Sequence, residues 1–473
     1  MRFTPTNAVA PIPMSLAKSP ANSRQRVDSP SNSKTKLPWS KQISNADASA
    51  CASECPLDRS YSGAAEAAYP AADVEHYVPS SIWLLGILST LMGFASISTD
   101  LYLPALPTIA RELHTSAGTM ELTISTYLIG FSLGQLLWGP IGDRFGRRGP
   151  VALGLGLFIL GSMGCALSTA AWQMIACRIV QASGACAGVV IGRAMVRDLY
   201  EHTRAAQMLS TLMTVMAIAP LLGPVLGSEI LRHGSWQAIF WTLVGIGTAT
   251  LIAVYTIPET LPTHRRQPHR IHRAMAGYVH LLREPRLLSH AGVSAFYYAG
   301  MFAYIAGTPF AYMEYYHISA QAYGWLFSAG VVGIMIANMV NARLVPTLGI
   351  ARLMAIGAVG GAVASVVLVA NAVTGFGGLW GLVVPLLLFV AMVGLIVANS
   401  ISGAMADFPE RAGSVSALVG AMQYGSGIFG SALVGILADG TPRPMSYIIG
   451  ISAIGSLLCA GYVLYAARLP ASE

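Results

Sequence analysis

Apolar residues in this chain are gathered into long blocks that begin at Ser81, and no comparable run precedes them. Twelve blocks have the length of a membrane span. The first six are Ser81–Leu103, Leu122–Trp138, Val151–Leu167, Trp172–Ile191, Met208–Leu231 and Trp236–Ile257. The second six are Leu287–Phe310, Tyr323–Asn341, Leu353–Val373, Leu379–Ile401, Ser414–Ala438 and Met445–Tyr465. A bilayer core takes about 20 apolar residues per helix, so each block predicts one transmembrane helix. The one long polar connection, Pro258 to Arg286, divides them six and six. The expected fold is an all-α membrane protein with twelve transmembrane helices in two six-helix bundles that face each other across a midplane site. The expected organisation is an N-terminal tail (1–79), a first bundle (80–258), a central cytoplasmic loop (259–286), a second bundle (287–467) and a short C-terminal tail (468–473).

The tail is rich in Ser, Pro, Ala and Asn. It cannot bury enough surface to offset its ordering entropy, so it is expected to be disordered. It has no apolar h-region, and a secretory leader is not expected.

Composition narrows the class. Hydrophobic residues make up 54% and charged residues 10%, against about 25% charged in soluble domains. A soluble enzyme, a disordered scaffold and a collagen-like fibre are excluded. The net charge of +7 raises nucleic acid as a partner, but the charge is in the wrong places. Lys18, Lys34, Lys36 and Lys41 lie in the tail, and the arginines fall mostly between apolar blocks. If the N-terminus is inside, the cytoplasmic loops hold Arg144, Arg147, Arg148, Arg193, Arg197, Arg283, Arg286, Arg343, Arg352 and Arg411 among others, and the outer loops only Arg111, Arg232 and Arg443. The positive-inside rule therefore predicts both termini in the cytoplasm. Cys165, Cys177, Cys186 and Cys459 lie in apolar blocks, as small buried side chains do. No lysine follows Lys41, which excludes a phosphate-binding G-x-x-x-x-G-K loop in the helical core, and no cluster has metal-ligand spacing. No cofactor and no metal are expected. The expected partners are protons, a drug-like small molecule and the lipid bilayer, with no nucleic acid, and the chain is expected to act as a monomer.

Three segments could carry function. Residues 139–148 read Gly-Pro-Ile-Gly-Asp-Arg-Phe-Gly-Arg-Arg. Gly139 and Gly142 permit close approach and a tight turn. Asp143 among Arg144, Arg147 and Arg148 can pair with arginine or cap a helix, and such a cluster can lock one conformation and release it on rocking. The plainer alternative is an arginine-rich inner loop that only sets topology. The other two segments are Arg178-Ile-Val-Gln-Ala-Ser-Gly-Ala and Ala219-Pro-Leu-Leu-Gly-Pro-Val-Leu-Gly.

Residues 139–148 resemble the signature loop of the major facilitator superfamily at Gly139, Asp143, Arg144, Gly146, Arg147 and Arg148. The segment from Arg178 resembles the R-x-x-Q-G-x-G element of its drug:proton antiporters, with Ala182 in place of a glycine. Pro220, Gly223, Pro224 and Gly227 resemble the antiporter motif of the fifth span. Ser98-Thr-Asp-Leu-Tyr-Leu-Pro, Trp236-Gln-Ala-Ile-Phe-Trp, Pro258-Glu-Thr-Leu and Met301-Phe-Ala-Tyr-Ile-Ala-Gly-Thr-Pro-Phe are similar to the Bcr/CflA drug-resistance transporters, the bicyclomycin-resistance type. The resemblance covers roughly residues 81–467. It implies a non-enzymatic exporter of drug-like molecules in the inner membrane, driven by proton exchange through alternating access. A major facilitator carrier of a sugar or metabolite is the alternative within transport. A membrane enzyme or ATP-driven pump is the alternative outside it, and lacks the residues it would need.

Asp100 and Arg178 are the ionisable residues inside apolar blocks, and such groups are functional candidates by default. At 1.5 Å per residue both fall in the outer half, where they could meet across the first bundle. Asp100 is the expected proton carrier and Arg178 the residue that tunes it. Glu121, Glu229 and Glu314 sit at span ends and are expected at the interface. Tyr102, Tyr297, Tyr298, Phe302 and Tyr424 are the candidate substrate contacts, through stacking of planar drugs or cation–π contact with lipophilic cations.

Overall fold

The computed structural model describes residues 81–200, 202–266 and 277–466. The expected tails (1–79 and 468–473) and part of the central connection lie outside these residues. The described chain is helical, with no strand among the described residues.

Helix α1 (Ser81–Asp100) stops before the end expected for the first span. Pro104 has no N–H to offer the Asp100 carbonyl, and its ring crowds that position. A 3₁₀ turn (Leu103–Ala105) and α2 (Leu106–Glu112), with Pro107 in its first turn, continue the chain. α3 (Ala117–Phe145) begins at Ser116, whose Oγ accepts the Thr119 N–H at 3.2 Å. α4 (Arg148–Ala166) and α5 (Ala171–Leu199) follow. The fifth apolar block forms two helices, α6 (His202–Met216) and α7 (Ile218–His233). They meet at Ala217 because Pro220 cannot donate to the Met216 carbonyl. α8 is Trp236–Val254.

The second half contains α9 (Pro285–Pro309), which runs into a π-helical turn (Phe310–Tyr315), and α10 (Ala320–Leu348), capped by Ser319. α11 (Ile350–Thr374) ends at Gly375 with φ 71°, a left-handed position that glycine adopts without strain. α12 (Gly378–Ala406), α13 (Ala412–Ile436) and α14 (Arg443–Ala466) complete it.

Ten helical segments among the described residues are long and apolar enough to cross a membrane. α3 and α9, of 29 and 25 residues, are as long but less apolar. Large side chains such as Trp172, Ile252, Trp325, Val363, Phe429 and Leu458 point outward, a surface that suits lipid and not water.

In the first half, α5 packs on α1, α3 and α4, with α8 against α4 and α7 against α1. In the second, α9 packs on α13 and α14, and α12 on α10 and α11. Two seams join the halves: α3 on α13, and α7 on α10. Small residues bring these helices close. Gly118 abuts the Gly435 carbonyl, and a β-carbon on Gly324 would lie 3.0 Å from the Pro224 carbonyl oxygen. Ser125 and Ser431 hydroxyls share a hydrogen bond at 2.9 Å, and the Ser328 hydroxyl donates to the Leu221 carbonyl at 2.6 Å.

Candidate functional site

Asp100 is the last residue of α1 and is 5% exposed. Arg178, in α5, is fully buried. The two lie at neighbouring levels, but no ion pair joins them. The Arg178 Nη1 donates to the Ser98 carbonyl at 3.0 Å and to Gln181 Oε1 at 2.6 Å. Its guanidinium lies 4.8 Å from the Tyr102 ring centre and 4.3 Å from that of Tyr127. The carbonyl that α1 leaves open near its end and two aromatic faces thus satisfy the cation without a carboxylate. The network extends on both sides. Tyr127 and Ser98 hydroxyls are 2.7 Å apart, Tyr102 meets Thr123 at 2.6 Å, and Gln181 Nε2 donates to Ser162 Oγ at 2.8 Å. Asp100 has no ion-pair partner among the described residues.

What touches Asp100 is the fifth-span motif. A β-carbon on Gly223 would lie 2.7 Å from the Asp100 Cβ, and Gly227 abuts the Leu101 carbonyl. These glycines let α7 lie directly on the end of α1. Pro224, one residue on, carries the carbonyl that Gly324 of α10 approaches. The Asp100 end of α1 and one seam between the halves therefore share a single short stretch of α7, just beyond the break at Pro220.

The signature loop forms a charge network centred on Arg147. Arg147 Nη1 is 2.7 Å from Asp143 Oδ1, and its Nε is 2.7 Å from Asp198 Oδ2. Burial works against the charge, but the hydrogen bonds to Asp198 and Asp143 outweigh it and hold Arg147 above the usual arginine value. The start of α4 is capped by Glu259, not by Asp143: Glu259 accepts the Arg147 and Arg148 N–H groups at 2.8 and 3.2 Å. Arg148 donates to the Tyr255 carbonyl at 2.7 Å and lies over the Tyr255 ring. Arg144 stacks on Phe145 at 5.2 Å. Gly146 has φ 92°, and a β-carbon there would lie 2.8 Å from Glu259 Oε2. Gly139 meets nothing closer than 4.0 Å.

The candidate substrate aromatics fall into three places. Tyr298, Phe302 and Tyr424 form a cluster at the α3–α13 seam, with ring centres 5.8–5.9 Å apart. Phe131 joins it from the first half, 4.5 Å from Tyr424. Tyr102 belongs to the Arg178 network. Tyr297 stacks on Phe389 at 4.5 Å, donates to the Phe389 carbonyl at 2.5 Å and abuts Gly361. It is fully buried in the core of the second half. One helical turn from the cluster, Gln135 meets Gly420 and borders a cavity of about 310 Å³ at the arginine-rich end.

The family model for the Major Facilitator Superfamily matches residues 88–431. The chain belongs to that superfamily. Two relatives, both spanning most of this chain, sharpen the likeness. The uncharacterized MFS-type transporter YdgK of Bacillus subtilis is 33% identical over 383 residues, 80% of this chain and 94% of its own. The bicyclomycin resistance protein homolog of Haemophilus influenzae is 29% identical over 379 residues, again 80% and 94%. The likeness to Bcr/CflA drug-resistance transporters read from the motifs is thus matched along most of the chain. A crystal structure of a D-xylose-proton symporter shares the fold, with a TM-score of 0.66 at 17% identity, covering 81% of this chain and 97% of that one. As a major facilitator, this multi-pass membrane protein is a transporter and not an enzyme.

Three carboxylates of this transporter lie differently from, or outside, what its sequence suggested. Glu121, expected at the interface, is 3% exposed in the α3–α13 seam, and its Oε2 has no partner among the described residues. Asp198 and Glu259 hold the loop but carried no expectation. Glu259 stands in the quoted Pro258-Glu-Thr, which was the available signal. Asp198 directly follows Arg197, a pair that reads as surface charge. Glu229 is half-buried and faces Arg232 and His233, and Glu314 is exposed.

Proposed function

We propose that this transporter exports drug-like small molecules across the inner membrane in exchange for protons, with twelve spans, two six-helix bundles, and the arginine-rich end and both termini in the cytoplasm. The observation that carries the reading is Asp100: a buried carboxyl at the end of α1, free of any ion pair among the described residues, and packed on Gly223 of α7. A carboxyl in apolar surroundings is most stable neutral, and one in water ionised. Rocking of α7 and α10 against each other changes the packing at Gly223 and hence the hydration of Asp100. Proton uptake and release are coupled in this way to which face of the protein is open.

Arg178 supports the same reading in a revised role. It fixes the end of α1 through the Ser98 carbonyl and positions the Asp100 backbone. The Arg147 network is the conformational lock, and the Tyr298–Phe302–Tyr424 cluster the apolar wall of the substrate path. The bicyclomycin resistance relative favours drug export over sugar uptake. Expression in an efflux-deficient bacterium, followed by resistance profiling on a compound panel, tests it. Raised resistance to several compounds, lost when the proton gradient is collapsed, is the expected result. Uptake of a sugar or metabolite with no change in resistance would contradict it.

A further inference from the structure

The cavity at the arginine-rich end is lined by Arg193 and Arg197 of α5, Gln135 of α3, and Ala412, Gly413 and Ser416 of α13. No lining residue is acidic. Neither arginine forms an ion pair among the described residues, and the Arg193 Nε is buried without a hydrogen-bond partner. Asp198, next to Arg197, is already engaged by Arg147. Asp407 and Glu410, in the neighbouring connection, pair with neither arginine. Opposite the arginines stands the first turn of α13, a helix of 25 residues whose N–H groups carry partial positive charge. Arg197 reaches it: a β-carbon on Gly413 would lie 3.7 Å from Arg197 Nη1. Three sources of positive potential face one space, with no opposing carboxylate among the described residues.

The same cavity adjoins the aromatic cluster. Gln135 and Gly420 lie one turn from Phe131 and Tyr424, and Arg193 lines the same cavity as Gln135. A lipophilic cation stacked on these rings would meet like charge at Arg193, which argues against the cation–π role expected for them.

We propose that this cavity binds an anionic headgroup whose aromatic or apolar body lies against Tyr298, Phe302, Tyr424 and Phe131, so that the substrates are amphipathic anions and not lipophilic cations. The proposal rests on the export reading, whose substrate class it names. Arg193 and Arg197 supply charge-assisted hydrogen bonds, Ser416 a hydroxyl, and the α13 N-terminus backbone donors. A phosphate headgroup of a lipid shares this chemistry with a soluble carboxylate.

The test is equilibrium binding to the full-length protein in phosphatidylcholine nanodiscs, with three probes on one scaffold: 1-naphthoate, 1-naphthamide and 1-naphthylmethylammonium. Wild type is expected to bind the anion about tenfold tighter than the cation. In Arg193→Gln, and separately in the more exposed Arg197→Gln, that preference is expected to fall below about threefold. Retained naphthamide binding shows that each variant is folded. Nanodiscs with added phosphatidylglycerol separate the sources. Competition there assigns the site to a lipid headgroup, and undiminished anion binding assigns it to a soluble substrate. Equal binding of anion and cation by wild type, or a preference that survives both substitutions, overturns the proposal. Binding needs no proton gradient, so an exporter without anion preference sinks this inference alone. Anion preference in a protein that does not export sinks the export reading instead.

Discussion

Gly223 lies against Asp100 so closely that a single added β-carbon would come within 2.7 Å of the Asp100 Cβ. The glycine- and proline-bearing stretch of α7 and the buried carboxyl at the end of α1 are thus one structural unit. Gly223→Ala is expected to force the two helices apart, at about 1–3 kcal/mol, and to lower export at least severalfold at equal protein level. Gly139→Ala is the control. That glycine also belongs to a family motif, but its β-carbon would meet only Val190 at 4.0 Å, and export should be unchanged. Equal loss in both variants would mean that the contact at Asp100 is not what matters.

Arg178→Lys is expected to destabilise the protein by about 2–3 kcal/mol. An ammonium cannot serve Ser98 and Gln181 while lying under Tyr102 and Tyr127 as the guanidinium does. Asp100→Asn should leave the melting temperature unchanged or raised, since it breaks no ion pair. Thermal unfolding in detergent separates this from an Asp100–Arg178 ion pair, for which both substitutions would destabilise alike.

In the loop, Asp198 should outweigh Asp143 for stability. The Asp143 side chain is 54% exposed, so its pairing with Arg147 contributes less than about 1 kcal/mol. Asp198 is 18% exposed and Arg147 7%, and losing that partner should cost about 2–3 kcal/mol. Asp143→Asn should therefore lower transport more than protein level, and Asp198→Asn should lower both. Arg147 lies above the usual arginine value when folded. Its contribution to stability is full at every pH below the unfolded arginine value and is lost only as pH rises through the folded one. The difference in melting temperature between wild type and Asp198→Asn should thus hold steady from about pH 6 to 9, a window far below the arginine range.

The long helices were legible because bilayer thickness imposes a length on each apolar block, and the seam was not. Pro104 and Pro220 explain why α1 stops at Asp100 and why one apolar block becomes α6 and α7, and both could have been read in advance from the missing N–H. The partners of Arg178 could not. Depth along a helix follows from residue count, but which way a side chain points around the axis depends on tertiary packing. That is why Arg178 faces Ser98, Tyr102 and Tyr127 and not the Asp100 carboxyl. Glu121 misled for the same reason. Its place near the start of α3 looks exposed until α13 closes over it through Gly118 and Gly435.

Glu121 borders a cavity of about 50 Å³ that Glu314 also reaches. Glu121→Gln, which removes an unpartnered carboxyl oxygen from the seam, should keep or raise the melting temperature. Glu121→Lys should lower protein level, since a longer charged side chain must then be buried where α3 and α13 pack closely at Gly118 and Gly435. A marked fall in melting temperature for Glu121→Gln would show that the carboxyl has a partner in the folded protein.

The central claim is that Asp100 carries the proton. Its most direct test is proton release from purified protein in weakly buffered detergent on addition of a compound that the chain exports. Wild type should release protons in proportion to the compound bound. Asp100→Asn, folded and still binding the compound, should release none. Undiminished release from Asp100→Asn would contradict the account and place the carrier elsewhere.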